Sequence, residues 1–125
     1  MNFPLVCLLG IFTTVPFGAA FLLTPEAVGA QYGLSGWNAG TLVVARLLGA
    51  TLLYAAGALV AVRNTSDPRI QKNIATFFAL SSAISAAISV QAVATGVVNA
   101  MGWSTVAIYV FFTVAWASLA FRKAS

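Results

Sequence analysis

The chain has 125 residues, 61% hydrophobic and 6% charged, with a mean hydropathy of +0.97 and a formal net charge of +4. Soluble domains carry about a quarter charged residues, so this sequence is not built to face water on all sides. It holds no His, one Cys (Cys7) and two acids (Glu26 and Asp67), which excludes a zinc site, a bis-His haem, a Cys-x-x-Cys pair, an intrachain disulfide and a Ser-His or Cys-His nucleophile. No metal and no cofactor is expected, and an enzyme would be poorly equipped.

A membrane span needs roughly 20 mostly apolar residues to cross about 30 Å of hydrocarbon. Four stretches qualify: residues 3–23, 41–62, 74–98 and 103–121. Without water in the hydrocarbon every backbone group must be bonded internally, so each is a helix. The first span holds Pro16 near its middle, where a kink is expected. No basic residue precedes it and its apolar run is long, which argues against a cleaved signal peptide. Thr24, Pro25 and Glu26 follow as N-cap, first helical residue and dipole-favoured acid. With Gly33 as a stop, they predict a short interfacial helix over residues 25–32.

The second span carries Arg46, with Ala45, Gly49 and Gly57 as small residues suited to close helix packing. Asp67-Pro68 opens the third helix several residues before it enters lipid. In that span Ser81, Ser85 and Ser89 recur at i+4, beside a stripe of Ala75, Ala79, Ala83 and Ala87. The second and third spans are therefore expected to form the closest pair, with the serines bonding back to their own i−4 carbonyls. Trp37 and Trp103 fall at the outer ends of the second and fourth spans, the usual place for interfacial anchors. Gly36-Trp37 and Gly102-Trp103 give the two halves a faint likeness, attributed here to the biased composition.

Arg63, Arg69 and Lys72 lie between spans two and three, and Arg122 with Lys123 follows span four, while the other connections hold no basic residue. The positive-inside rule places both clusters, and both termini, in the cytoplasm, as expected for a bacterial inner-membrane protein. The charge is thus accounted for by orientation and contact with membrane lipids, not by nucleic acid.

Arg46 is the residue that most needs a partner, because a charge within a span costs on the order of 3 kcal/mol. Counting about 1.5 Å per residue, Arg46 lies roughly 8 Å below the outer boundary, Gln91 about 25 Å up from the opposite side and Tyr109 about 9 Å down. Three polar side chains from three helices share one level, with Glu26 just above and Asn99 capping the outer end of the third span. Two readings follow. Arg46 pairs with Glu26, with Gln91 and Tyr109 satisfying its other donors in a structural clasp; or the layer is the floor of an outward-facing pocket for a lipid headgroup, an isoprenoid or a quinone.

Several four-span classes lack their required residues here. Proton-coupled exporters need a carboxylate in the first span, and quinone-linked disulfide enzymes need paired cysteines. Thr24-Pro25-Glu26, Arg46-Leu47-Leu48-Gly49, Asp67-Pro68-Arg69 and Thr95-Gly96 with Asn99 together resemble the small bacterial four-span integral membrane families of unknown function. That resemblance implies a fold and no catalytic residue. The expectation is a single-domain, all-α membrane four-helix bundle of two helical hairpins with a short outer interfacial helix. Its leading functional reading is a non-catalytic accessory subunit packing against other transmembrane helices, of its own kind or another. The alternative is a binding or carrier protein for a lipid, isoprenoid or quinone around Arg46, and a minimal dimeric transporter is the weakest.

Overall fold

The computed structural model describes residues 1–122; the expected basic residue Lys123 lies outside them. Among the described residues there are five helices: α1 (Phe3–Leu23), α2 (Pro25–Gln31), α3 (Ala39–Val62), α4 (Pro68–Ala94) and α5 (Gly102–Ala120). The four long ones are each long and apolar enough to cross a membrane, which makes this an all-α integral membrane protein.

Local chemistry sets the helix ends. Asn2 starts α1 by accepting the Leu5 amide at 3.0 Å, and the helix continues through Pro16. Thr24 stands at the N-cap of α2 but does not cap it; its hydroxyl donates to the Ala20 carbonyl at 3.0 Å and so closes α1. The short helix ends where Gly33 takes a φ of +77°, letting the Leu34 amide reach the Gly29 carbonyl. Helix α3 begins two residues before the apolar stretch because Asn38 and Thr41 form a reciprocal capping box, each side chain taking the other's amide at 2.9 Å. Asp67 caps α4 through the Arg69 amide at 2.9 Å. At its far end α4 stops at Ala94, short of the apolar stretch, because Gly96 adopts a φ of +76° and turns the Val97 amide back onto Ala92.

The long helices pack as two pairs, α1 with α3 and α4 with α5, whereas α3 and α4 make at most marginal contact. This corrects the expectation that the second and third spans lie closest. The reason is where the glycines of α3 face. A methyl group on Gly49 would sit 2.6 Å from both the Gly18 carbonyl oxygen and the Leu22 amide nitrogen, so α1 and α3 meet backbone against backbone there. Gly57, expected to pack a helix, has nothing near its α-carbon's open side. Ala75 is buried, but Ala83 and Ala87 are exposed. On the other pair Gly102 admits Val93 and Val98. Gly36, by contrast, lies in a loop outside any helix, so the two Gly-Trp pairs occupy unlike positions.

The pairs are joined at the end that carries the chain termini. Phe3, Val6 and Cys7 of α1, Leu59 of α3, Ala75 of α4 and Ala115, Trp116 and Ala120 of α5 form one buried cluster. Trp116 lies at its centre, edge-on to Phe3 at 6.0 Å and tilted against Phe78 at 5.2 Å. Just outside it the Arg122 guanidinium donates to the Met1 carbonyl at 3.0 Å. Arg63, Arg69 and Lys72 flank the connection between α3 and α4 at this same end.

Replacing Gly49 by Val should cost about 1–3 kcal/mol, since backbone atoms cannot yield to the added side chain. Gly57→Ala should change stability by less than about 0.5 kcal/mol. Unfolding of both variants by anionic detergent in mixed micelles, followed by circular dichroism, checks the pair.

Candidate functional site

Two helix pairs touching mainly at one end leave a space between them. That space is a cavity of about 610 Å³, within the range of ordinary small-molecule sites. Each long helix contributes one strip to its wall: Gly10 to Phe21, Leu48 to Leu59, Phe78 to Ser89 and Thr105 to Trp116. At about 1.5 Å per residue every strip is about 16 Å long, so the cavity is elongated along the bundle axis. Phe78, Leu59 and Trp116 close it at the terminal end, and Gly29, Tyr32 and Leu34 lie over it at the other. Along one side it borders the seam between α3 and α4, where Leu48, Thr51 and Ser81 are exposed.

The lid over the outer end is held by hydrogen bonds between distant parts of the chain. Asn99 donates its backbone amide to the Tyr32 carbonyl at 2.9 Å and its side-chain amide to the Gln31 carbonyl at 3.0 Å, while its side-chain oxygen accepts from Met101. The Tyr32 and Thr105 hydroxyls lie 2.6 Å apart. Helix α2 is thereby fastened to the α4–α5 pair as well as to its own. Trp37 reinforces it from the side, its ring packed against Gly29 and half-buried, so this tryptophan is not a free interfacial anchor. Trp103 is exposed, as an anchor would be.

Among the described residues no charged side chain lines the cavity. Its polar groups are hydroxyls and one indole. Thr13, Thr14, Thr51 and Ser89 donate to carbonyls one turn back on their own helices at 2.8 Å, which leaves them little to offer a ligand. Ser81, Ser82, Ser85, Tyr109 and the Trp116 indole line the same space without a side-chain hydrogen bond to the protein.

Of the residues singled out in the sequence, the structure brings Tyr109, Ser81, Ser85 and Ser89 to this cavity. The serines face open space instead of a neighbouring helix. Arg46 and Gln91 are exposed and do not line the cavity. Ala45 and Gly49 face α1 and Leu48, Leu52 and Leu59 face the cavity, so at about 100° per residue Arg46 lies roughly 160° around α3 from the cavity. Glu26 is exposed in the first turn of α2, and the one ion pair among the described residues is Arg69 with Asp67 at 4.0 Å, so Glu26 and Arg46 do not form one. Arg46 stands about 10 Å along α3 from its start, within snorkelling reach of the interface. Of the expected polar layer, then, only Tyr109 reaches the cavity. Trp116 and the Tyr32–Thr105 pair were not anticipated. The signal for Trp116 was its position, a tryptophan deep in a span and away from either interface. Nothing in the local sequence marks Tyr32 and Thr105 as partners 73 residues apart.

Comparison with known protein families, with characterised proteins and with solved structures yields no match, and no family is identified for the chain.

Removing the Asn99 side chain (Asn99→Ala) should cost about 1–2 kcal/mol at the outer end, from two lost hydrogen bonds. Amide hydrogen exchange should then accelerate in Val28 to Leu34 while the cluster around Trp116 stays protected.

Proposed function

We propose that this small four-span membrane protein binds an elongated, neutral lipid between its two helix pairs, as a binding or carrier protein. The observation that carries this reading is the cavity itself: about 610 Å³, long, mostly apolar in lining and, among the described residues, free of charged side chains. A charged headgroup taken into such a space would lose its hydration with nothing to offset it. An isoprenoid, a quinone or another uncharged chain has no such cost, and a largely apolar site with a few placed polar groups is what such ligands use. The weakly packed seam between α3 and α4 offers a sideways path from the bilayer, so the ligand need not cross water. Arg46 has no part in this site.

A second reading, the accessory subunit, draws on a different surface. The unpaired Arg46 and the open Gly57 lie on one outward face of α3, and a small residue there permits the close approach of another transmembrane helix. Stoichiometric co-purification of a larger assembly in mild detergent, lost in Gly57→Leu, would favour it. On either reading the basic residues gathered at the terminal end argue for a cytoplasmic placement of both termini in a bacterial inner membrane.

Native mass spectrometry of the protein released from mild detergent should show a retained neutral lipid. Ala55→Phe, which fills the cavity from α3, should abolish the retained mass while the helical circular dichroism persists. Arg46→Gln should leave it unchanged. Lipid retention by Ala55→Phe equal to that of the unsubstituted protein would refute the cavity as the binding site.

A further inference from the structure

We infer that the deep end of the cavity is a subsite for a carbonyl oxygen, and that the ligand is a neutral lipid bearing a ketone or quinone carbonyl seated beside Ser82 and Trp116. This rests on the proposed binding of a neutral lipid and adds the chemistry and the orientation of the bound molecule.

Two observations carry it. Ser82 is 8% exposed and Trp116 1% exposed, and neither side chain forms a hydrogen bond among the described residues. Yet no buried side-chain nitrogen or oxygen is sealed off without a partner, and both residues line the cavity. Their polar atoms therefore keep some accessible surface, in residues that border that space. They are linked through Phe78. Phe78 packs on the Trp116 ring at 5.2 Å, and Ser82 is one turn along the same side of α4. Counted from the outer helix ends, Ser82 is about 18 Å deep and Trp116 about 21 Å deep.

The donor inventory then selects the ligand. An indole N–H only donates, and a serine hydroxyl has one proton to give. Ser89 and three of the four lining threonines donate within their own helices and Thr105 pairs with Tyr32. Ser81, Ser85 and Tyr109 are free but less buried, which leaves Ser82 as the buried hydroxyl with a proton to give. A carbonyl oxygen, with two lone pairs and no proton of its own, can accept from both groups at once. An alcohol can accept from the indole, but its own proton then turns onto a serine oxygen and one of the three protons must look beyond the pair for an acceptor. An alkane leaves both donors unmet, which is costly in a dry site. The apolar remainder of the lipid then lies towards Phe17, Phe21, Ile108 and the lid, where the Ser89, Thr105 and Tyr32 hydroxyls are already bonded within the protein.

The test uses the whole protein in lipid nanodiscs with three chain-matched probes: a long-chain methyl ketone with an isotope-labelled carbonyl, the corresponding secondary alcohol and the alkane. The ketone should bind about fivefold or more tightly than either of the others, as one net hydrogen bond predicts. Its infrared carbonyl stretch should move to lower frequency than in empty nanodiscs. Ser82→Ala and Trp116→Phe should each weaken ketone binding about fivefold, leave alkane binding unchanged and reverse part of the infrared shift. Because Trp116 also belongs to the buried cluster, Ser82→Ala and the infrared shift decide the matter if Trp116→Phe does not fold. Equal binding of all three probes with no infrared shift would overturn the carbonyl subsite and leave the lipid cavity standing. Failure of every probe to bind above empty nanodiscs would overturn both.

Discussion

Everything distinctive in this bundle depends on where its two helix pairs are allowed to touch. Within each pair glycine permits close approach: Gly18 against Gly49, backbone to backbone, in one and Gly102 beneath the Val93 and Val98 side chains in the other. Between the pairs contact is confined to the aromatic cluster around Trp116 at one end and the hydrogen bonds of Asn99 and Tyr32 at the other. In lipid, helices gain nothing from hiding leucine from its neighbours, so association follows close packing and polar contact alone. Where neither is present, as along the seam between α3 and α4, the helices stay apart. The cavity is the result of that selectivity.

Much of the architecture was legible because membranes enforce it. Span number, the short helix after Thr24, the stop at Gly33 and the cap at Asp67 all follow from local rules that lipid makes strict. The pairing was not legible. Composition showed small residues on both the second and third spans, but not which way they faced, and Gly49 turned out to meet α1. Helix faces are fixed by partners, and a sequence rich in alanine and glycine on all sides presents several equivalent faces at once.

The site was half legible for a related reason. Counting depth along each span placed Arg46, Gln91 and Tyr109 at one level, and depth is a single coordinate. The azimuth around each helix is the other, and it separates them: Tyr109 turns inward while Arg46 and Gln91 are exposed. Charge drew attention to Arg46, yet a guanidinium on a long apolar stem close to the interface can reach water by itself. The groups that open onto the interior are uncharged and individually ordinary, a serine, a phenol and an indole, and gain meaning only from sharing a wall.

A bundle fastened at its two ends and hollow at its waist is mechanically soft across that waist. Interiors packed to crystal density resist compression; a void between two separate helix pairs does not. The gap between α3 and α4, where the helices make at most marginal contact, is therefore the place where lateral compression meets least resistance. The give of this molecule is thus set by how its glycines pair the helices, tight within each pair and open between them.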